Sequence, residues 1–141
     1  MKIGILHGPN LNYLGKRKPE VYGNITEKKI VDTVRSYFPE TEIAFFQSNH
    51  EGALIDQLYL WNKDMDGIVF NAGALTHYSY SLRDTIEAIE TPVVEVHITQ
   101  IAAREEFRKS VLAPVCIGSI SGFGLSSYLL GMAAFNWSKE V

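Results

Sequence analysis

Five short runs rich in Val, Ile and Phe recur along this chain, and each is followed by sequence with helical spacing. The runs are KIGILH (2–7), EIAFFQ (42–47), GIVFNA (67–72), PVVEVH (92–97) and PVCIGSIS (114–121). Their nearly continuous apolar character is that of strands buried on both faces, as in parallel sheets covered by helices. Between them, Ile30, Val31, Val34, Tyr37 and Phe38 share one face of a helix over 27–38, with Thr26 as N-cap. Leu54, Leu58 and Trp61 do the same over 52–63, and Leu82, Ile86 and Ile89 over 80–90. Leu129, Met132, Ala133 and Phe135 mark a last helix over 125–137. Right-handed crossovers turn this alternation into an α/β three-layer sandwich with a five-stranded parallel sheet. The commonest order for five such strands is flavodoxin-like, 2-1-3-4-5. No repeat or linker interrupts the 141 residues, so a single domain over 1–141 is expected.

Such a sheet places its ligand outside the carboxyl ends of the strands, at the switch point beside the first. Strand 1 is followed by GPNLNYLGKRKPEVYG (8–23), which carries Asn10, Asn12, Arg17 and Tyr22. It is too long, too aromatic and too rich in side-chain amides for a phosphate loop. Asn71, Thr76 and His77 follow strand 3. Strand 4 ends in Glu95 and His97, with Thr99, Arg104 and Arg108 beyond. Three separate stretches thus bring amides, imidazoles and guanidiniums to one edge of the sheet.

Several chemistries are disfavoured. The chain has neither G-x-G-x-x-G nor a P-loop, and His7 and Asn71 stand where a phospho-receiver needs acids. A net charge of −3 gives no electrostatic case for nucleic acid or an anionic membrane. The one cysteine, Cys116, excludes an internal disulfide and a cysteine-based zinc site, and reads as packing. No metal site is expected. The lysines lie at element ends or on polar faces, where a Schiff-base lysine would not be. No stretch reaches transmembrane length, and the apolar start is too short for a signal peptide, so a cytoplasmic protein is expected.

Proton transfer without a cofactor remains. Glu95 and His97 are two apart on a strand and share a face, which suits a carboxylate orienting an imidazole. Tyr22 is a candidate partner, with a guanidinium from Arg17 or Arg108 to favour its ionised form. If 103–109 is helical, Arg104 and Arg108 share a face. Arg104 is otherwise read as a surface or interface charge. Asn10 and Asn71 offer neutral donors and acceptors, and the backbone N–H groups of Ile98 and Thr99 suit a carboxylate. His7 has no assigned role.

The chain resembles type II 3-dehydroquinate dehydratase along nearly its whole length. The likeness is carried by GPNLNYLGKRKPEVYG, FFQSNHEG, NAGALTHYSYSLRD, EVHITQIAAREEFR and GFGLSSYLLG, in the family's order and spacing. It implies a flavodoxin-like fold, a homododecamer built as a tetramer of trimers, and the third step of the shikimate pathway. It also implies anti elimination of water from 3-dehydroquinate through an enolate, with no cofactor. By position the base is Tyr22, its activator Arg17, the amide that holds a water Asn10, and the acid His97, oriented by Glu95. Substrate contacts fall on Asn71, His77, Ile98, Thr99 and Arg108, while Asp84 reaches a neighbouring subunit's site. The sequence departs from the family's usual pattern at His7, Tyr78, Gln100 and Ala102, and in KSVLAPV after Arg108. The competing expectation is a binding module that keeps the fold without turnover.

Overall fold

The computed structural model describes residues 1–16 and 18–137, so Arg17 lies outside the described residues. Among the described residues there are five strands: β1 (Lys2–His7), β2 (Glu42–Gln47), β3 (Gly67–Asn71), β4 (Val93–His97) and β5 (Gly118–Ser121). They alternate with α2 (Glu27–Tyr37), α3 (Glu51–Trp61), α4 (Tyr80–Ala88) and α5 (Ser126–Trp137). A four-residue helix, α1 (Pro19–Tyr22), interrupts the long segment after β1. All neighbouring strands pair in parallel, in the order β2-β1-β3-β4-β5. This is the flavodoxin-like arrangement expected. No helix among the described residues is long and apolar enough to cross a membrane.

The two faces of the sheet carry separate cores, as strand alternation requires. Ile3, Ile5, Val69, Val94 and Val96 pack with Ile30 and Val34 of α2 and with Tyr128, Met132 and Phe135 of α5. Leu6, Ile68, Phe70 and Val93 pack with Leu54, Leu58 and Trp61 of α3 and Leu82 and Ile86 of α4. Each of these large side chains, once fully buried, contributes about 1.5–3 kcal/mol from apolar area. The Thr26 hydroxyl accepts from Lys29 N–H at 3.1 Å and caps α2 as its sequence indicated.

Four expectations need correction. Strand 5 begins at Gly118, because Pro114 sits in a 3₁₀ turn, Ala113–Val115, where a residue without an N–H is tolerated. Strands β2 and β5 are sheet edges and half open, so only β3, β4 and β1 from Ile3 onward are buried throughout. Tyr37 ends α2 and is 68% exposed rather than in the core. Residues 103–109 do not form a helix: a 3₁₀ turn over Ile101–Ala103 ends at Arg104, whose φ of −102° and ψ of −159° are extended.

Two glycines let the loops after β1 and β3 meet over the sheet's carboxyl edge. Gly73 has φ of +59°, and a Cβ there would stand 2.9 Å from the Pro9 carbonyl oxygen. At Gly8, whose N–H donates to Asn71 O at 2.8 Å, a Cβ would lie 2.4 Å from the Ala72 carbonyl oxygen. That obstacle is backbone and cannot rotate aside. Gly8→Ala is therefore expected to destabilise the fold by about 1–3 kcal/mol, the usual cost of overpacking. Urea titration measures it, and an unchanged midpoint would mean that the two loops are not held as closely as described.

Candidate active site

Where β1, β3 and β4 end, their loops enclose a cavity of about 70 Å³. Asn10, Tyr22, Asn71, His77, His97, Ile98, Thr99 and Arg108 all line it, as the sequence pattern led one to expect, and so does Arg104. Among the described residues, two proposed ones do not. Glu95 stands behind His97, and Asp84 is exposed on α4.

Glu95 is only 1% exposed. Its Oε1 accepts from His97 Nε2 at 2.8 Å, from Ser110 Oγ at 2.7 Å and from the Thr76 hydroxyl. Its Oε2 accepts from Ser119 Oγ at 3.0 Å. Burial pushes the carboxyl's pKa up, but the hydrogen bonds and charge of His97, together with the Thr76 and Ser110 hydroxyls, more than offset it. The net shift is downward. An ionised Glu95 fixes the proton of His97 on Nε2, which leaves Nδ1 as the nitrogen available to a ligand. Beside it, burial and the Glu95 charge push the Cys116 thiol up to about 12, so this cysteine stays protonated and inert.

Tyr22 arrives from the opposite side on α1, which Pro19 starts and Gly23 ends with φ of +63°. Its hydroxyl accepts from Arg104 Nη1 at 3.3 Å, and the Arg104 guanidinium carbon lies 5.8 Å from the ring centroid. Arg104 is thus more than a surface charge, since its guanidinium reaches Tyr22 at the cavity. Extended backbone at that residue, rather than a helix, carries it inward.

The remaining side chains are held from behind. Asn10 adopts a left-handed conformation (φ 68°), and its N–H donates to Asn49 Oδ1 at 2.9 Å. His77 Nδ1–H donates to the Lys109 carbonyl at 3.0 Å, so Nε2 is the acceptor, 3.4 Å from Arg108 Nη1. Desolvation is the main influence on His77 and lowers its pKa. Asn71 donates from Nδ2 to Tyr128 OH at 3.0 Å and accepts Gly73 N–H on Oδ1 at 3.1 Å.

His7, without a role in the sequence reading, is fully buried beside this site. Its Nδ1 lies 2.6 Å from Glu27 Oε2, while Nε2 has no hydrogen-bond partner. Desolvation outweighs the nearby carboxylate and lowers its pKa.

A parallel sheet of this order, with a carboxylate-supported imidazole at its carboxyl edge, defines a flavodoxin-like α/β enzyme. Residues 1–136 match the family described as Dehydroquinase class II. The 3-dehydroquinate dehydratase of Chlorobaculum tepidum is 54% identical over 92% of this chain and 90% of its own. That of Caldicellulosiruptor saccharolyticus is 47% identical over 99% of this chain and 97% of its own. The crystal structure of type II dehydroquinase from Butyrivibrio crossotus superposes with a TM-score of 0.93. It is 43% identical and covers 96% of this chain and 97% of that one. The chain belongs to the class II dehydroquinase family.

The buried and half-buried ionisable groups set a pH dependence. His7 and His77 have folded-state values below the ordinary 6.5, so on acidification the unfolded chain takes up protons first. Their contribution to stability is fully present above pH 6.5 and is lost as pH falls towards the depressed values. Glu95 acts in the same direction below 4.5. The melting temperature should therefore fall from pH 7.5 to 5.5, and His7→Asn should flatten the slope. Equal slopes in the two proteins would remove His7 from this role.

Proposed function

We propose that this cavity dehydrates 3-dehydroquinate to 3-dehydroshikimate by anti elimination of water through an enolate, the third step of the shikimate pathway. The supporting observation is the pairing of Tyr22 against Arg104 on one side with His97 against the ionised Glu95 on another, around one cavity. Two proton-transfer groups held apart in this way suit a reaction that removes one proton and delivers another.

The Tyr22 oxygen takes the C2 proton. Arg104 supports the tyrosinate, and Arg17 is assigned the same role from the family pattern. The electron pair released from C2–H moves onto the C3 carbonyl oxygen, where a water held by Asn10 stabilises the enolate. Its collapse forms the C1–C2 double bond and breaks C1–O, while His97 Nδ1 donates a proton so that the hydroxyl departs as water. Glu95 stabilises the imidazolium before that transfer. Positioned acids and bases of this kind typically contribute about 10²–10⁴-fold each. No cofactor enters the scheme.

Asn71, His77 and Arg108 take the substrate's hydroxyl and carboxylate oxygens, and backbone N–H groups at Ile98 and Thr99 take the carboxylate. Asp84 is exposed and away from its own cavity, which suits a role in the site of a neighbouring subunit. The assembly proposed is a homododecamer, a tetramer of trimers, working in the cytoplasm.

The product is a conjugated enone, so its absorbance reports turnover directly. The wild-type protein should form it from 3-dehydroquinate, while Tyr22→Phe and His97→Ala should each reduce kcat at least a hundredfold. Glu95→Gln should be milder than His97→Ala, because it disturbs only the support of the imidazole. A Tyr22→Phe enzyme that kept a tenth of wild-type kcat would remove the tyrosine from the role of base.

Asp84→Ala tests the assembly separately. Weaker association in light scattering, together with lower activity, is the expected result. A fully assembled and fully active variant would make Asp84 a surface charge in the middle of α4.

A further inference from the structure

We infer that Tyr128 is a positioning residue for substrate binding, because its hydroxyl, together with the Gly73 N–H, holds the Asn71 amide in one orientation toward the cavity. The inference rests on the proposed substrate contact by Asn71.

An asparagine amide has two ends of similar shape and opposite polarity, and only its hydrogen bonds distinguish them. At Asn71 the choice is forced. The Gly73 N–H can only donate, so the atom 3.1 Å from it must be the carbonyl oxygen Oδ1. Gly73 is itself held by its left-handed backbone and its close approach to Pro9. The NH₂ group then faces Tyr128, whose hydroxyl oxygen accepts one of its hydrogens at 3.0 Å.

Tyr128 suits this task. It is completely buried on α5, so its hydroxyl cannot turn to solvent, and burial raises its pKa well beyond neutral pH. It therefore remains a neutral phenol. Its ring lies 5.4 Å from the His7 ring and belongs to the core beneath α2 and α5, which fixes the oxygen in place. With one N–H committed to Tyr128 and Oδ1 committed to Gly73, the other N–H of Asn71 is what the amide offers the cavity. Asn71 thus acts as a donor to a substrate oxygen: the Gly73 N–H sets this polarity, and a residue on a helix that does not line the cavity holds the amide in place.

Tyr128→Phe keeps the ring and removes only the oxygen. The expected result is a three- to tenfold rise in KM for 3-dehydroquinate, with kcat within twofold of wild type. The same change in an Asn71→Ala background should add no further rise in KM, because there is no amide left to orient. An equal rise in that background would overturn the inference and leave Tyr128 a packing residue. An unchanged KM for Tyr128→Phe alone would also overturn it. If Asn71→Ala itself leaves KM unaltered, the substrate contact is wrong, and the inference falls with it for that separate reason. Side-chain amide exchange by ¹⁵N NMR needs no variant. One Asn71 N–H in the wild-type protein should exchange slowly, and rapid exchange of both would mean that Tyr128 does not hold it.

Discussion

An ionised carboxylate buried in the sheet is costly unless donors surround it, and the catalytic edge of this protein is organised around that need. Removing such a group from water carries a penalty of several kcal/mol, which only close hydrogen bonds offset. Glu95 receives them from His97 on its own strand, from Thr76 after β3, from Ser110 in the loop before β5, and from Ser119 on β5. Three segments 15 to 24 residues away are therefore tied to its own strand through one side chain. Ser110 also accepts from the N–H groups of Leu112 and Ala113, so the same hydroxyl shapes the turn that leads into β5. The charge that supports His97 thus also fastens a four-residue edge strand to the rest of the sheet.

The proposed acid and base have different mechanical supports. His97 belongs to a fully buried strand and is aligned by a carboxylate that cannot move without losing several partners. Tyr22 belongs to a four-residue helix, too short to be stable alone. What orders it is packing with Leu11, Leu14 and the α2/α5 core, together with Arg104. Separating the two in this way allows one proton-transfer group to stay fixed while the other is set in place by its surroundings.

Much of this was legible in the sequence. The five apolar runs and their helical intervals gave the topology, because burial on both faces leaves an almost unbroken apolar signal. That signal fades at edges, and so PVCIGSIS was read as strand four residues early. Glu95 and His97 were legible because alternation on a strand is a short-range rule. Arg104 was not. Its contact with Tyr22 spans 82 residues and depends on an extended backbone where the spacing suggested helix. Ser110, Ser119 and Tyr128 were equally hidden. A hydroxyl has no periodicity of its own, and its role appears only when the fold sets a polar partner beside it.

The cavity is small in comparison with common ligand pockets, which run to about 300–1,000 Å³, and the ring of Tyr22 forms part of its wall. A ligand larger than this space is seated only if part of that wall shifts and re-forms around it. Each binding event carries the entropy cost of ordering protein as well as ligand. The affinity of a site built this way is a difference between its contacts with the ligand and the work of re-ordering its wall. Modest binding and an intimate fit around the reacting carbons are, in such a site, compatible.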